Sequence, residues 1–451
     1  MALHSARLSA ISLALVLPCL ALAEDDFFSA LDTQAEPETP APPGPVQWLG
    51  WAQQKVAYGY RAPEPGPSRD RAALTRVESQ LYGQMNARHE AWSMRLAGSV
   101  TYDALPDLSD ADAWETHNFT DKQAEERRWH GQWADSYVGW QDGNWWLKAG
   151  YQTLAWGEAE SLIVTDVLAR RDQRWPGQQD LEQTRLPVPA ITLNWAGKLD
   201  LAVLGWAETD LRPAPFDDFD QLAGLRANGI DIRHNDADNP VGVALRWQQR
   251  WPGLDLTWIA ADVNAFESTL SDVSFNGAVP ETATFTPERR RVLGANAQLA
   301  RGSWLLKTEQ GWHQGVRHAT NNTLSPWVES DQWRAMLGAD YSGFRNLTLT
   351  LELGSQLLLN PDAAIEDDEV RLSQSVRARY TTWNNRLELT AQGVNLPGES
   401  GQVVRLAADW QVSDPFSMGI SLVDYLAQDS DQALYTVRHQ DAAILNLRYG
   451  F

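Results

Sequence analysis

Residues 443–451 read AILNLRYGF, at the end of the sequence. Successive side chains of an extended strand point to opposite sides, so Ala443, Leu445, Leu447, Tyr449 and Phe451 share one face and Asn446 and Arg448 the other. An amphipathic strand that stops on an aromatic resembles the signal by which the barrel-assembly machinery sorts outer-membrane barrels. Leu445, Leu447, Tyr449 and Phe451 would be the sorting residues. A long apolar strand face with open edges invites aggregation, and closing the sheet on itself removes those edges.

Working outward, the same alternation recurs. Trp92, Met94, Leu96, Val100 and Tyr102 oppose Ser93, Arg95, Ser99 and Thr101; Leu347, Leu349, Leu351 and Leu353 oppose Thr348, Thr350 and Glu352. Val376, Ala378 and Tyr380 oppose Ser375, Arg377 and Arg379, and Val404, Leu406, Ala408 and Trp410 oppose Arg405 and Asp409. Short turn signals fall at 88–90, 142–144, 196–198, 252–253, 301–302, 343–344, 384–385 and 414–415. Long polar stretches lie between them, near 61–71, 105–122, 155–186, 210–239, 268–287, 316–327, 360–368, 396–402 and 428–435. Outer-membrane barrels alternate short periplasmic turns with long extracellular loops. The expected fold is therefore all-β, a transmembrane antiparallel up-and-down barrel of about eighteen strands. Sixteen is the alternative count, because the first and fourth strands are the least regular.

Composition fits that class. Twenty-two tryptophans suit aromatic girdles at two membrane interfaces better than a soluble core. The formal net charge of −22 argues against nucleic acid, which demands a basic surface. Residues 1–23 read as a signal peptide: Arg7, an apolar run from Leu8 to Leu20, and the small-x-small site Ala21-Leu22-Ala23. The single cysteine, Cys19, lies inside this leader, and Pro18 before it is unsuited to a lipoprotein site. Residues 24–45 form an acidic, proline-rich periplasmic segment, read either as a solvated leader or as a plug or docking peptide. The barrel is expected over 46–451.

One connection stands apart. Residues 150–189 read GYQTLAWGEAESLIVTDVLARRDQRWPGQQDLEQTRLPVP, with Leu162, Ile163, Val164, Val167, Leu168 and Trp175 too apolar for a disordered loop. It is expected in the mouth or lumen. Its ends resemble an outer-membrane barrel family known as domain of unknown function 1302, whose pattern is G-R-Q-x-x-x-W-G-E, then N-P-x-D, then L-P-x-P. Gln152, Trp156, Gly157, Glu158, Asp166, Pro187 and Pro189 match. Tyr151 stands where Arg is usual, and Val164-Thr165 where Asn-Pro is. Alginate-export barrels are a weaker likeness. The resemblance implies an outer-membrane channel in a Gram-negative cell, a companion of a periplasmic carrier and an inner-membrane pump of the resistance-nodulation-division type. Within the loop, Trp156, Gly157, Glu158, Asp166, Arg170, Arg171, Arg174, Pro187 and Pro189 are the candidate constriction residues. The loop would gate the pore or merely fold over its mouth.

The polar phase of the strands supplies the lumen-lining candidates Arg95, Lys148, Arg246, Lys307, Glu309, Arg334, Glu352, Arg371, Arg377, Arg379, Arg405, Asp409 and Arg448. The surplus of Arg and Lys suits an anion-selective lumen, while cross-strand Arg–Glu pairing is the bland alternative. His313 and His318 are expected to be solvated beside a loop, and the acidic run Asp217-Asp218-Phe219-Asp220 to be a solvated loop or a cation site facing lipopolysaccharide. No nucleophile motif or metal-ligand spacing occurs, so neither a catalytic set nor a cofactor is expected. The leading functional expectation is a channel for small anionic or amphipathic solutes; the alternative is a non-conducting barrel that docks a periplasmic protein through 24–45. Its surroundings would be outer-membrane lipid and lipopolysaccharide.

Overall fold

The period-2 segments pair antiparallel with their neighbours, and the last pairs with the first, so the sheet has no free edge. The computed structural model describes residues 46–61, 73–108, 121–205, 208–215, 217–277, 279–320, 326–430 and 432–451. The segments 1–23 and 24–45 lie outside the described residues, and with them the readings of signal peptide and periplasmic leader.

The wall opens with β1 (Val46–Gly59), β2 (Ala73–His89) and β3 (Trp92–Asp103). β4 (Trp129–Trp133) and β5 (Ser136–Asp142) both pair with β3 and are halves of one wall strand. After β6 (Trp145–Gln152) comes the long connection, which contains a small ribbon of β7 (Arg170–Arg171) and β8 (Arg185–Leu186). The wall resumes at β9 (Val188–Trp195) and β10 (Leu199–Leu204). β11 (Asp231–His234) lies outside the ring order and pairs in parallel with part of β14. Then follow β12 (Gly242–Trp251), β13 (Leu254–Asn276), β14 (Val279–Arg301), β15 (Trp304–Ala319) and β16 (Trp327–Phe344). β17 (Leu347–Leu359), β18 (Val370–Thr382), β19 (Leu387–Asn395), β20 (Gln402–Ser413), β21 (Phe416–Leu426) and β22 (Ala442–Gly450) complete it. With β4 and β5 counted as one, the ring has eighteen strands.

The seam joins the two ends of the barrel. Trp51 opposes Gly450 and Gly59 opposes Ala442, and Gly50 and Phe451 exchange backbone hydrogen bonds of 2.9 Å each way. Leu445, Tyr449 and Phe451 are exposed on the outer face. The short turns all lie at this end of the barrel. Positive φ at Glu90, Gly143, Ala196, Gly197, Gly253, Gly302, Asn346 and Asn384 lets the chain reverse in a few residues. Around them, Trp48, Trp92, Trp145, Trp195, Trp251, Trp304, Phe344 and Trp383 are exposed and form an aromatic belt.

Leu349, Leu351 and Leu353 point out, while Thr350 and Glu352 between them are buried inside. The sign of the alternation is thus apolar-out, polar-in, as a barrel in lipid requires. The stretch 268–287 departs from the expected loop. β13 and β14 continue through it as a hairpin that extends beyond the ring, turning at Gly277, with β11 alongside β14 at 282–285. Its Val273, Phe275, Thr282, Thr284 and Thr286 are good strand formers, although the stretch as a whole is polar enough to read as a loop. Likewise β15 and β16 run into the expected loop 316–327 as far as Ala319 and back from Trp327.

Candidate functional site

The connection between β6 and β9 turns inward and crosses the lumen. It contacts inward-facing wall side chains and the connection that follows β10. Glu309 on β15 accepts from the backbone N–H groups of Glu158, Ala159 (2.7 Å) and Thr165 (3.0 Å). Glu352 on β17 accepts from those of Glu160 (2.7 Å), Ser161 (2.9 Å) and Leu162 (3.1 Å). A loop removed from water must satisfy its backbone donors somewhere. Here two wall carboxylates, both 0 % exposed, do it. Asn296 on β14 donates to the Trp156 carbonyl (3.2 Å), and Gln298 donates to the Glu158 carboxylate. Burial, and then the nearby Glu309 carboxylate, push the Glu158 carboxyl above the usual carboxylate range.

Apolar contacts hold the loop at three places on the ring. Leu154, Trp156 and Leu168 pack with Val188, Ala190, Leu204, Ile259 and Val292. Ala159, Leu162 and Val164 pack with Met336. Trp175 packs with Phe219, Tyr425 and Ile444, on the seam side. The wall makes room with glycines. A Cβ on Gly294 would lie 2.7 Å from Thr165, one on Gly311 3.3 Å from Val164, and one on Gly354 3.1 Å from Leu162. Gly157 is constrained in the same way, since a Cβ there would meet Asp166 at 2.8 Å.

Asp166 ties the base of the loop together. It accepts from the Trp156 N–H (3.3 Å) and from Arg171 (2.8 Å) and Arg185 (3.0 Å). Arg170 pairs with Glu208, and Arg174 grips Asp172 with two hydrogen bonds of 2.9 and 2.6 Å. These basic residues therefore organise the loop itself. Pro187 and Pro189 are buried where the chain rejoins the wall, and the Pro189 carbonyl accepts from Gly205 N–H (2.8 Å). A neighbouring connection adds Asp210, which accepts from Arg171 N–H (2.8 Å) and Gln173 (2.7 Å). Burial pushes the Asp210 carboxyl up to about 6.

Most lumen cations have carboxylate partners, and several of these partners come from the loop rather than the adjacent strand. Glu160 reaches Lys307 and Arg377, each at 3.2 Å, and Asp180 reaches Arg377 (3.0 Å) and Arg405 (2.7 Å). Lys307 also meets Asp340 (3.0 Å), Arg371 meets Asp367 (2.7 Å), and Arg246 meets Asp200 (3.0 Å) while lying 5.0 Å over the Trp156 ring. Arg95, Lys148, Arg379, Asp409 and Arg448 lie nearer the tight-turn end. Arg95 and Lys148 face Tyr137, Arg448 lies over Trp51, and Arg379 pairs with Glu388 at 3.3 Å. Arg334 hydrogen-bonds Gln332 (2.7 Å).

Two expectations are corrected. His313 and His318 are buried, the latter against Asp367 at 2.9 Å, because β15 carries them inward above Glu309 instead of ending in a loop. Asp217 and Asp218 are also buried: Arg127 bridges Asp217 (2.8 Å) and Asp103 (2.9 Å), and Phe219 inserts beside Trp175. Asn296, Gln298, Glu160, Asp180 and Gln178 are not among the candidates the sequence offers. The Gln178 side chain accepts from Arg76 at 2.8 Å, and Arg76 lies 4.4 Å over Trp175. Glycines inside otherwise regular strands were the one available signal of where the loop would touch.

A family model described as protein of unknown function (DUF1302) matches residues 68–451. The chain belongs to that family. No curated protein matches this DUF1302 chain in sequence. Among solved structures, Acinetobacter baumannii OccAB3 is similar at 10% identity and a TM-score of 0.54, covering 90% of this chain and 99% of its own. OccAB2 of the same organism is similar at 11% identity and a TM-score of 0.50, covering 90% and 98%. At such identity the likeness is one of fold, a large porin-like barrel.

Proposed function

We propose that this DUF1302 barrel is an outer-membrane channel of a Gram-negative cell, with residues 155–186 as its constriction and small anionic or amphipathic solutes as its cargo. The observation that carries the reading is the inserted loop. It crosses the lumen on Glu309 and Glu352 and gathers Lys307, Arg377 and Arg405 around its own acids. A closed polar lumen narrowed at one level by charged side chains is how pores discriminate between solutes. Deleting 159–185 in the purified barrel and recording single-channel currents tests it. A large rise in conductance is expected; unchanged conductance would remove the constriction from the proposal. Work with a periplasmic carrier and an inner-membrane pump belongs to the same proposal, and co-purification with and without residues 24–45 tests that part.

A further inference from the structure

A cavity of about 480 Å³ adjoins the inserted loop. Its floor includes Glu160, Val164, Asp166 and Arg171; its sides include Val263, Ala265 and Phe266 of β13 and, across the lumen, Val394, Leu396 and Val403. Arg290 and Arg334 also line it. That size and mixture, largely apolar with a few convergent polar groups, match a small-molecule site. The charged groups on its lining are mostly spent on one another. Glu160 serves Lys307 and Arg377, Asp166 serves Arg171 and Arg185, Asp180 serves Arg405, and Arg290 is paired with Glu288. Asp210 is capped by Arg171 N–H and Gln173, and Glu267 is exposed, 3.8 Å from Arg290.

Arg334 differs. It is half-buried, and among the described residues its one hydrogen bond goes to the neutral Gln332, with no carboxylate within ion-pair distance. A guanidinium removed from much of its water without a counter-charge is costly to keep, and it presents a fork suited to a planar anion. We infer that this cavity is a binding site for an amphipathic monoanion, a carboxylate or sulfonate with a compact apolar body. The head group is held by Arg334 and the body lies against Val263, Ala265 and Phe266. The inference rests on the channel reading and narrows its cargo class. The apolar wall separates such a ligand from small hydrophilic anions, which would find the cation but nothing to bury.

The test uses the full barrel in lipid nanodiscs for calorimetry and in planar bilayers for current. Octanoate and octyl sulfonate are expected to bind and to interrupt the current, acetate to do so far more weakly, and octylammonium not at all. Each buried methylene should tighten binding about three- to fourfold. Arg334→Gln should weaken octanoate about tenfold or more, the scale of a lost charge-assisted hydrogen bond. Arg334→Lys, which keeps the charge and loses the fork, should fall between, and covers the case in which the glutamine variant fails to fold. Phe266→Ala should flatten the chain-length dependence without altering acetate. Arg250→Gln, at a tight turn, should change nothing. A conducting barrel that binds neither octyl anion overturns this site and leaves the channel standing. A barrel that binds octanoate through Arg334 but never conducts keeps the site and overturns the channel. Equal binding of octylammonium overturns the anion assignment.

Discussion

Glu309 accepts two hydrogen bonds from Thr165 with one carboxylate oxygen, from the backbone N–H and from the hydroxyl, each at 3.0 Å. Its other oxygen takes the N–H groups of Glu158 and Ala159. One wall residue thus stands in for the strand partner that this stretch of loop lacks. Glu309→Ala should leave three backbone donors without that acceptor, at about 1–3 kcal/mol for each that stays buried. The loop should come away from β15 while the barrel, whose ladder does not involve that side chain, stays closed. Limited proteolysis checks this: cleavage within 155–186 should accelerate in the variant, and equal rates would show that Glu309 does not hold the loop.

Steric fit gives a second expectation. Gly157→Ala places a methyl 2.8 Å from the Asp166 Cβ, at the residue that binds Trp156, Arg171 and Arg185. Overpacking of this kind costs about 1–3 kcal/mol. Gly83→Ala is the control, because a Cβ there meets nothing within 4 Å. Thermal unfolding should separate the two variants, with Gly83→Ala close to the parent.

The barrel was legible in the sequence because the pleat has a fixed period of two and lipid forces one sign of alternation on every strand. Seven of the eight tight turns overlap their turn signals, whereas Gly343 and Phe344 end β16 and the chain reverses at Arg345-Asn346; the two ends of the sheet meet at Gly50 and Phe451. The loop was legible only in outline. Its apolar content said that it was packed, and Trp156-Gly157-Glu158 said where it began. No periodicity links Glu352 to Ser161 or Asp180 to Arg405, since those pairs span the barrel and depend on closure. The same limit hid His313 and Asp217, whose burial comes from segments distant in the chain. It also hid the β13–β14 extension, since polar strands outside the membrane lose the alternation that identifies them.

Asp210 makes the loop sensitive to pH. Burial raises its folded pKa to about 6, above the ordinary aspartate value, so the protonated form favours the packed state. The contribution is fully present below about pH 4 and is lost as pH rises through about 6, at no more than about 1.4 kcal/mol per pH unit. Hydrogen exchange of residues 166–174, corrected for intrinsic rates, should therefore be slower at pH 5 than at pH 7.5. Asp210→Asn removes the titration and should remove most of that difference. A difference that persists unchanged would assign it to other groups.

Asp180 and Glu160 both reach Arg377, at 3.0 and 3.2 Å, and each holds a second cation, Arg405 and Lys307 respectively. Removing either carboxylate takes a negative charge from the narrowed level of the lumen and leaves its cations exposed to a passing ion. Asp180→Asn and Glu160→Gln should each make the pore more anion-selective, read as a shift of reversal potential in a potassium chloride gradient. The two changes should not add simply, because Arg377 retains one partner in each single variant and neither in the double. The double variant should therefore show a shift larger than the sum, and the excess should vanish when Arg377 is also replaced by Gln. Simple additivity would mean that Arg377 does not face the permeating ion, and the selectivity would then belong to Lys307 and Arg405 alone.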